Sequence, residues 1–186
     1  MMKIGQLFAK QRPRPLEAGK PKEWKNIEYF DPVWEDRVAL LARMIQCKGR
    51  LVDYGCGRQH LRNHLPPLTQ YVPVDYTSRS PDTIVADFNQ LPYPDIDGEI
   101  AFISGFLEYM QDAPAFIRHI KKLSYQEVVL SYCCVESVGS LDERAKLGWK
   151  NHLSLRSLLS EFLDAFNLHQ IGSVTKNTIL RFERKR

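Results

Sequence analysis

The run Leu51-Val52-Asp53-Tyr54-Gly55-Cys56-Gly57 sets a carboxylate two residues ahead of a glycine pair, at the end of an apolar stretch. Glycine at 55 and 57 lets the backbone turn sharply and approach a ligand closely. A second carboxylate, Asp75, stands 20 residues beyond Gly55 and ends the next apolar stretch. A carboxylate there can accept both hydroxyls of a ribose. Two cofactor classes fit this pattern, dinucleotides and S-adenosylmethionine. A dinucleotide site wants a third glycine or an alanine, so that a helix N-terminus can face the pyrophosphate. His60 occupies that position. Asp53 would repel a pyrophosphate and attract an ammonium, such as that of a methionine tail. The electrostatics therefore select the sulfonium cofactor.

These residues need a scaffold that sets them side by side. Asp31-Pro32 reads as a helix start, with Asp as cap and Pro in the first turn. Val33, Trp34, Val38, Leu41 and Ile45 follow at helical spacing, and Gly49 is the stop. Residues 50–54, 70–74, 83–86, 99–104 and 126–132 read as strands. Residues 60–65, 113–123 and 154–166 read as helices, the last capped by Ser154. Residues 169–174 and 178–182 close the chain as an antiparallel hairpin. Alternating strands and helices predict an α/β fold, a three-layer, doubly wound and mostly parallel seven-stranded sheet. Residues 75–83 are too few for a crossover helix, so the second crossover is expected to be shortened. In such sheets ligands sit beyond the C-terminal strand ends. Polar and glycine residues gather there: Gly55 and Gly57, Asp75, Asp87, Ser104-Gly105 and Tyr132-Cys133.

Composition narrows the class. The chain has 186 residues and a formal charge of +4. Residues 1–28 form a basic, proline-containing arm, and residues 29–186 form the expected single domain. The positive excess belongs to the arm, which weakens a nucleic-acid reading, so nucleic acid is disfavoured as a partner. No stretch is apolar enough to span a membrane and no secretory signal opens the sequence, so a cytoplasmic protein is expected. Cys47, Cys56, Cys133 and Cys134 include no paired metal spacing with His, and no metal is expected. His60, His64 and His119 fall on helices and read as surface or core-edge residues.

From about residue 30 to 183 the chain resembles class I S-adenosylmethionine-dependent methyltransferases of the small-molecule branch. Asp53 to Gly57 resembles the family's D-x-G-x-G loop, with Cys56 inside it, and Val74-Asp75 resembles its ribose-binding acid. Ala86-Asp87-Phe88 resembles the segment whose Asp contacts the adenine amino group, and Tyr76 and Phe88 would flank the ring. Residues 99–104, ending at Ser104, followed by Phe106-Leu107-Glu108-Tyr109-Met110-Gln111-Asp112, resemble the fourth strand and its L-E-H-x-x-D continuation. Asn151-His152-Leu153-Ser154 resembles the late acceptor-side segment. Three departures stand out. Gln59 replaces a frequent third glycine, Tyr109 replaces the usual His, and no D-P-P-Y or N-P-P-Y is present.

The resemblance implies methyl transfer to a small molecule or glycan precursor, with oxygen favoured over nitrogen. A hydroxyl acceptor benefits from a base. His152 is the leading candidate, with Glu108 and Tyr109 next, and Tyr132 would orient the acceptor. Residues 133–151 are long for a connection and are expected to form a substrate lid. Trp34 and Tyr29 would cover the cofactor. Two other readings stay open: a catalytically silent methyltransferase-like module that binds the cofactor or a partner, and an RNA methyltransferase using the basic arm.

Overall fold

A computed structural model describes residues 31–186. The arm of residues 1–28 and Tyr29 lie outside the described residues. Helix α1 is Pro32–Ala42, and the Asp31 carboxylate caps it by accepting from the Val33 N–H at 3.0 Å. Five strands follow: β1 Arg50–Tyr54, β2 Gln70–Asp75, β3 Ile84–Val85, β4 Ile100–Ser104 and β5 Glu127–Tyr132. Helix α2 is Ala113–Lys122, α3 is Leu141–Lys146 and α4 is Leu155–Phe162. Strands β6 Phe166–Val174 and β7 Asn177–Arg184 end the chain.

The strands form one seven-stranded sheet in the order β3-β2-β1-β4-β5-β7-β6. The first five pair in parallel, and β7 runs antiparallel between β5 and β6. Period-two alternation buries both faces. Leu51, Ile100, Phe102 and Val129 meet Val38 and Leu41 of α1 on one side. Val52, Tyr54, Ala101, Ile103 and Val128 meet Phe116, Ile117 and Ile120 of α2 and Leu158 and Phe162 of α4 on the other. The result is the three-layer architecture expected. The crossover from β2 to β3 holds no helix, as the short spacing required.

Three local expectations change. Helix α1 stops at Ala42 rather than near Gly49, because the buried Glu127 carboxylate takes the N–H groups of Gln46 and Cys47 at 3.1 and 2.9 Å. Residues 60–64 form a tight 3-10 turn rather than an α-helix. Helix α4 ends at Phe162, and Phe166 already belongs to β6, paired with Arg184. Leu158, Phe162 and Phe166 keep an i, i+4 spacing across that break, so apolar periodicity alone merged helix and strand. Helix α3 lies inside residues 133–151, the stretch expected to form a substrate lid.

Candidate active site

Strands β1 and β4 are neighbours, yet their crossovers leave in opposite directions, so a crevice opens between their C-terminal ends. There the structure has a cavity of about 750 Å³. All nine residues expected to touch the cofactor line it: Asp53, Gly55, Cys56, Gly57, Asp75, Tyr76, Asp87, Phe88 and Ser104. Of the residues expected to do the chemistry, Glu108 and Tyr109 line it and His152 does not.

The glycine loop is built by backbone. Gly55 and Gly57 have φ of +74° and +49°, and a Cβ on Gly55 would meet the Phe106 ring at 2.8 Å. Such torsions favour glycine. The Gly55 and Cys56 N–H groups both donate to the Val74 carbonyl, at 2.8 and 3.0 Å, which ties the loop to the end of β2. The Gly57 N–H donates to Asp75 Oδ2 at 2.9 Å. The other oxygen of Asp75 accepts from the Thr77 N–H at 3.2 Å and pairs with Arg79 Nε at 3.2 Å. Two N–H donors, one on each oxygen, and the ion pair on Oδ1 leave Oδ2 with a lone-pair direction to spare.

Asp53 is almost fully buried, and Tyr71 donates to its Oδ2 at 2.6 Å. Burial pushes its carboxyl up to about 7, although the Tyr71 hydroxyl works against that rise. Asp87 uses both oxygens in its own turn, accepting from the Asn89 N–H at 3.0 Å and the Gln90 side-chain amide at 3.2 Å. Phe88 belongs to an aromatic cluster under the cavity, edge-on to Tyr54, Phe106 and Phe116. Tyr76 is exposed at the rim.

One contributor escaped the sequence reading. Arg37 of α1 lines the cavity, and its Nε donates to Ser104 Oγ at 3.1 Å. A Cβ on Gly105 would collide with this guanidinium, and Gly105 has φ of +62°, so the glycine makes its room. The signal was present: Arg37 sits three and four residues from Trp34, Val33 and Leu41, inside the apolar stripe of α1. A cation within that stripe is the kind of exception that marks a site. Trp34 also lines the cavity, as expected.

At the far end of the cavity, Glu108 is 2% exposed. Its Oε1 accepts from the Cys133 N–H at 2.9 Å, and its Oε2 has no partner among the described residues. Burial raises its carboxyl above the ordinary range, with Arg37 opposing. The Tyr109 phenol is hydrogen bonded to the Trp149 side chain, and burial raises it as well.

His152 is exposed, and its Nδ1 accepts from Arg144 Nε at 2.9 Å. Arg144 of α3 is wholly buried. Its Nη1 donates to the carbonyls of Cys133 and Val138, and its Nη2 to the Asn151 carbonyl and the Tyr132 hydroxyl. It stacks over the Trp149 ring, 4.8 Å from the centroid. The Asn151 side-chain amide donates to the Leu107 and Met110 carbonyls, at 2.5 and 2.9 Å. Residues 133–151 are therefore clamped onto the turn that carries Glu108. Tyr132 helps hold that clamp, with its hydroxyl on Asn151 Oδ1 at 2.5 Å, and is not among the residues lining the cavity.

Among the described residues, no group of three His, Cys, Asp or Glu comes together to hold a metal ion. No helix among them is long and apolar enough to cross a membrane.

No family model matches the chain, and no curated protein matches it in sequence. Solved structures match the fold. A chain of the Haloferax volcanii complex between the Trm112 methyltransferase activator and a methyltransferase is 15% identical with a TM-score of 0.64, over 82% of this chain and 90% of that one. The N-methyltransferase NodS from Bradyrhizobium japonicum, in complex with S-adenosylhomocysteine, is 13% identical with a TM-score of 0.61, over 85% and 90%. The [4+2]-cyclase SpnF is 14% identical with a TM-score of 0.62, over 81% of each chain. The chain has the class I, Rossmann-like methyltransferase fold.

Proposed function

We propose that this protein transfers a methyl group from S-adenosylmethionine to a hydroxyl of a small molecule or glycan precursor. One observation carries the reading. A single cavity at the β1–β4 crevice is lined at one end by Asp53, Gly55, Gly57 and Asp75, and at the other by Glu108, whose Oε2 has no partner among the described residues.

The residues present fit the cofactor. The cavity volume is in the range that small ligands fill. The two positive-φ glycines let the loop's own backbone line the cavity. Asp53 and Arg37 supply one charge of each sign, which complements the ammonium and carboxylate of a methionine tail. Asp75 takes a ribose hydroxyl on its remaining lone pair. Phe88 and Tyr76 bound the adenine space, Asp87 faces it, and Cys56 and Ser104 complete the walls.

When bound, the sulfonium supplies an electrophilic methyl group. The chain's own work is alignment and proton handling. Glu108 Oε2 accepts the proton of the acceptor hydroxyl. A carboxylate raised by burial is better matched to that task than an exposed one. Tyr109, fixed by Trp149, orients the same hydroxyl. His152 serves as a positioning residue for Arg144, not as the base.

Calorimetric titration with S-adenosylmethionine tests the cofactor, and release of S-adenosylhomocysteine over an acceptor panel tests turnover. Glu108→Gln is expected to slow turnover about a hundredfold while cofactor affinity stays within about threefold. Cofactor uptake with no turnover on any acceptor would favour a second reading, a module that binds without methyl transfer. The ion pair of Arg79 with Asp75 Oδ1 supports that alternative, because it leaves only Oδ2 of the ribose acid for a sugar hydroxyl.

A further inference from the structure

The cavity that Glu108 lines also has a wall with apolar, aromatic and charged parts. Val138, Leu147 and Trp149 supply the apolar and aromatic surface. Two lysines from distant parts of the chain reach the same rim. Lys146 is the last residue of α3, and Lys176 lies in the turn between β6 and β7. Both are exposed, and neither pairs with a carboxylate among the described residues. Glu143, three residues before Lys146, lines the cavity as well, and Asp31, Asp53, Asp75, Asp87 and Glu108 line it too, so the positive charge of the two lysines is local. Two like charges on one part of a cavity wall attract an anion locally. Deeper in, the unpartnered Oε2 of Glu108 asks for a hydrogen-bond donor.

We propose that the acceptor is a small organic anion. Its hydroxyl meets Glu108, its apolar or aromatic body lies along Trp149 and Leu147, and its oxyanion, a carboxylate or a phosphate, is held by Lys146 and Lys176. The proposal rests on the methyl-transfer reading and specifies the acceptor class of that site.

The test is calorimetry on the protein saturated with S-adenosylhomocysteine, titrated with phenyl phosphate, benzoate and the neutral benzyl alcohol. At least one anion is expected to bind about tenfold or more tightly than benzyl alcohol, with affinity falling as salt rises. Which anion wins separates a phosphate from a carboxylate. The Lys146→Ala/Lys176→Ala protein should lose about tenfold for that anion, and Lys176→Glu alone should lose as much. Lys122→Ala on α2 should change nothing, and thermal melts confirm that each variant is folded. Equal affinity for benzyl alcohol, an unaffected double variant, or no anion bound at about 10 mM would overturn the proposal. If S-adenosylhomocysteine is taken up and the anions are not, the acceptor class alone is wrong. If S-adenosylhomocysteine itself does not bind, the methyl-transfer reading fails, and the same anion titration on the free protein still reads the lysines.

Discussion

The two ends of the cavity are held by different kinds of bond. At the cofactor end, backbone N–H groups of residues 55–57 meet the Val74 carbonyl and the Asp75 carboxylate, within two adjacent strands. At the acceptor end, one buried guanidinium gathers Cys133, Val138, Asn151, Tyr132 and His152. The first end comes with the sheet, since forming β1 and β2 in register nearly forms the loop. The second depends on a single side chain and on chain brought back from far along the sequence. The two ends should therefore fail separately.

Arg144→Met is the strongest break. It keeps the apolar stem but strips partners from buried carbonyls and from the Tyr132 hydroxyl. Leaving several such groups unsatisfied should cost about 3 kcal/mol, a fall in melting temperature of roughly 10 °C. Acceptor turnover should be lost while cofactor affinity, read by calorimetry, stays within about threefold. If both affinities fall together, the two ends are one cooperative unit and the contrast drawn here is wrong.

The same contrast explains what the sequence disclosed. The loop at 55–57, the acid at 75 and the shortened second crossover are local patterns: glycines where φ is positive, carboxylates at strand ends, and spacings too short for a helix. These survive in one dimension. Helix α3 was legible too, because Ser140 and Glu143 have the S-x-x-E spacing of a capping box, and Ser140 does accept from the Glu143 N–H at 3.4 Å. That signal was passed over inside a segment taken as a lid. The role of Arg144 had no comparable sign. An arginine on a short polar helix looks solvent-facing, and only the return of residues 149–153 over it makes it buried. His152 lies outside the cavity lining for the same reason, since its place is set by that fold-back rather than by its neighbours in sequence.

A smaller effect sharpens the cofactor end. With its carboxyl raised to about 7, Asp53 is largely neutral at pH 6 and largely ionised at pH 8. Besides burial, the groups that set this are Tyr71, Asp75 and Arg62. Only the ionised form attracts an ammonium, so cofactor affinity should rise by up to about tenfold between those pH values. Asp53→Asn should flatten the profile. The stability of the free protein runs the other way. The folded state keeps a proton that the unfolded chain releases near the ordinary carboxylate pKa. This contribution is therefore full below that pKa and is lost as pH rises through about 7. Melting curves across this window, compared with those of Asp53→Asn, check the sign. A cofactor affinity that stays flat from pH 6 to 8 in the unsubstituted protein would remove Asp53 from ammonium binding.

His152→Ala should produce the smallest change, and it probes the boundary between the two ends most finely. The imidazole is exposed and gives Arg144 one of its five partners, through Nδ1. Water can replace an exposed acceptor, so the loss should be at most about 1 kcal/mol of stability. Turnover should stay within about threefold, and the pH profile of turnover should keep its shape, because the proton passes to Glu108. His152→Gln, whose amide oxygen can accept from Arg144, should restore the lost stability. A tenfold slowing at unchanged melting temperature, with an altered pH profile, would move the imidazole into the reaction. It would also mean that the wall of residues 133–151 swings inward during turnover, because in the arrangement seen here Arg144 holds that ring outside the cavity.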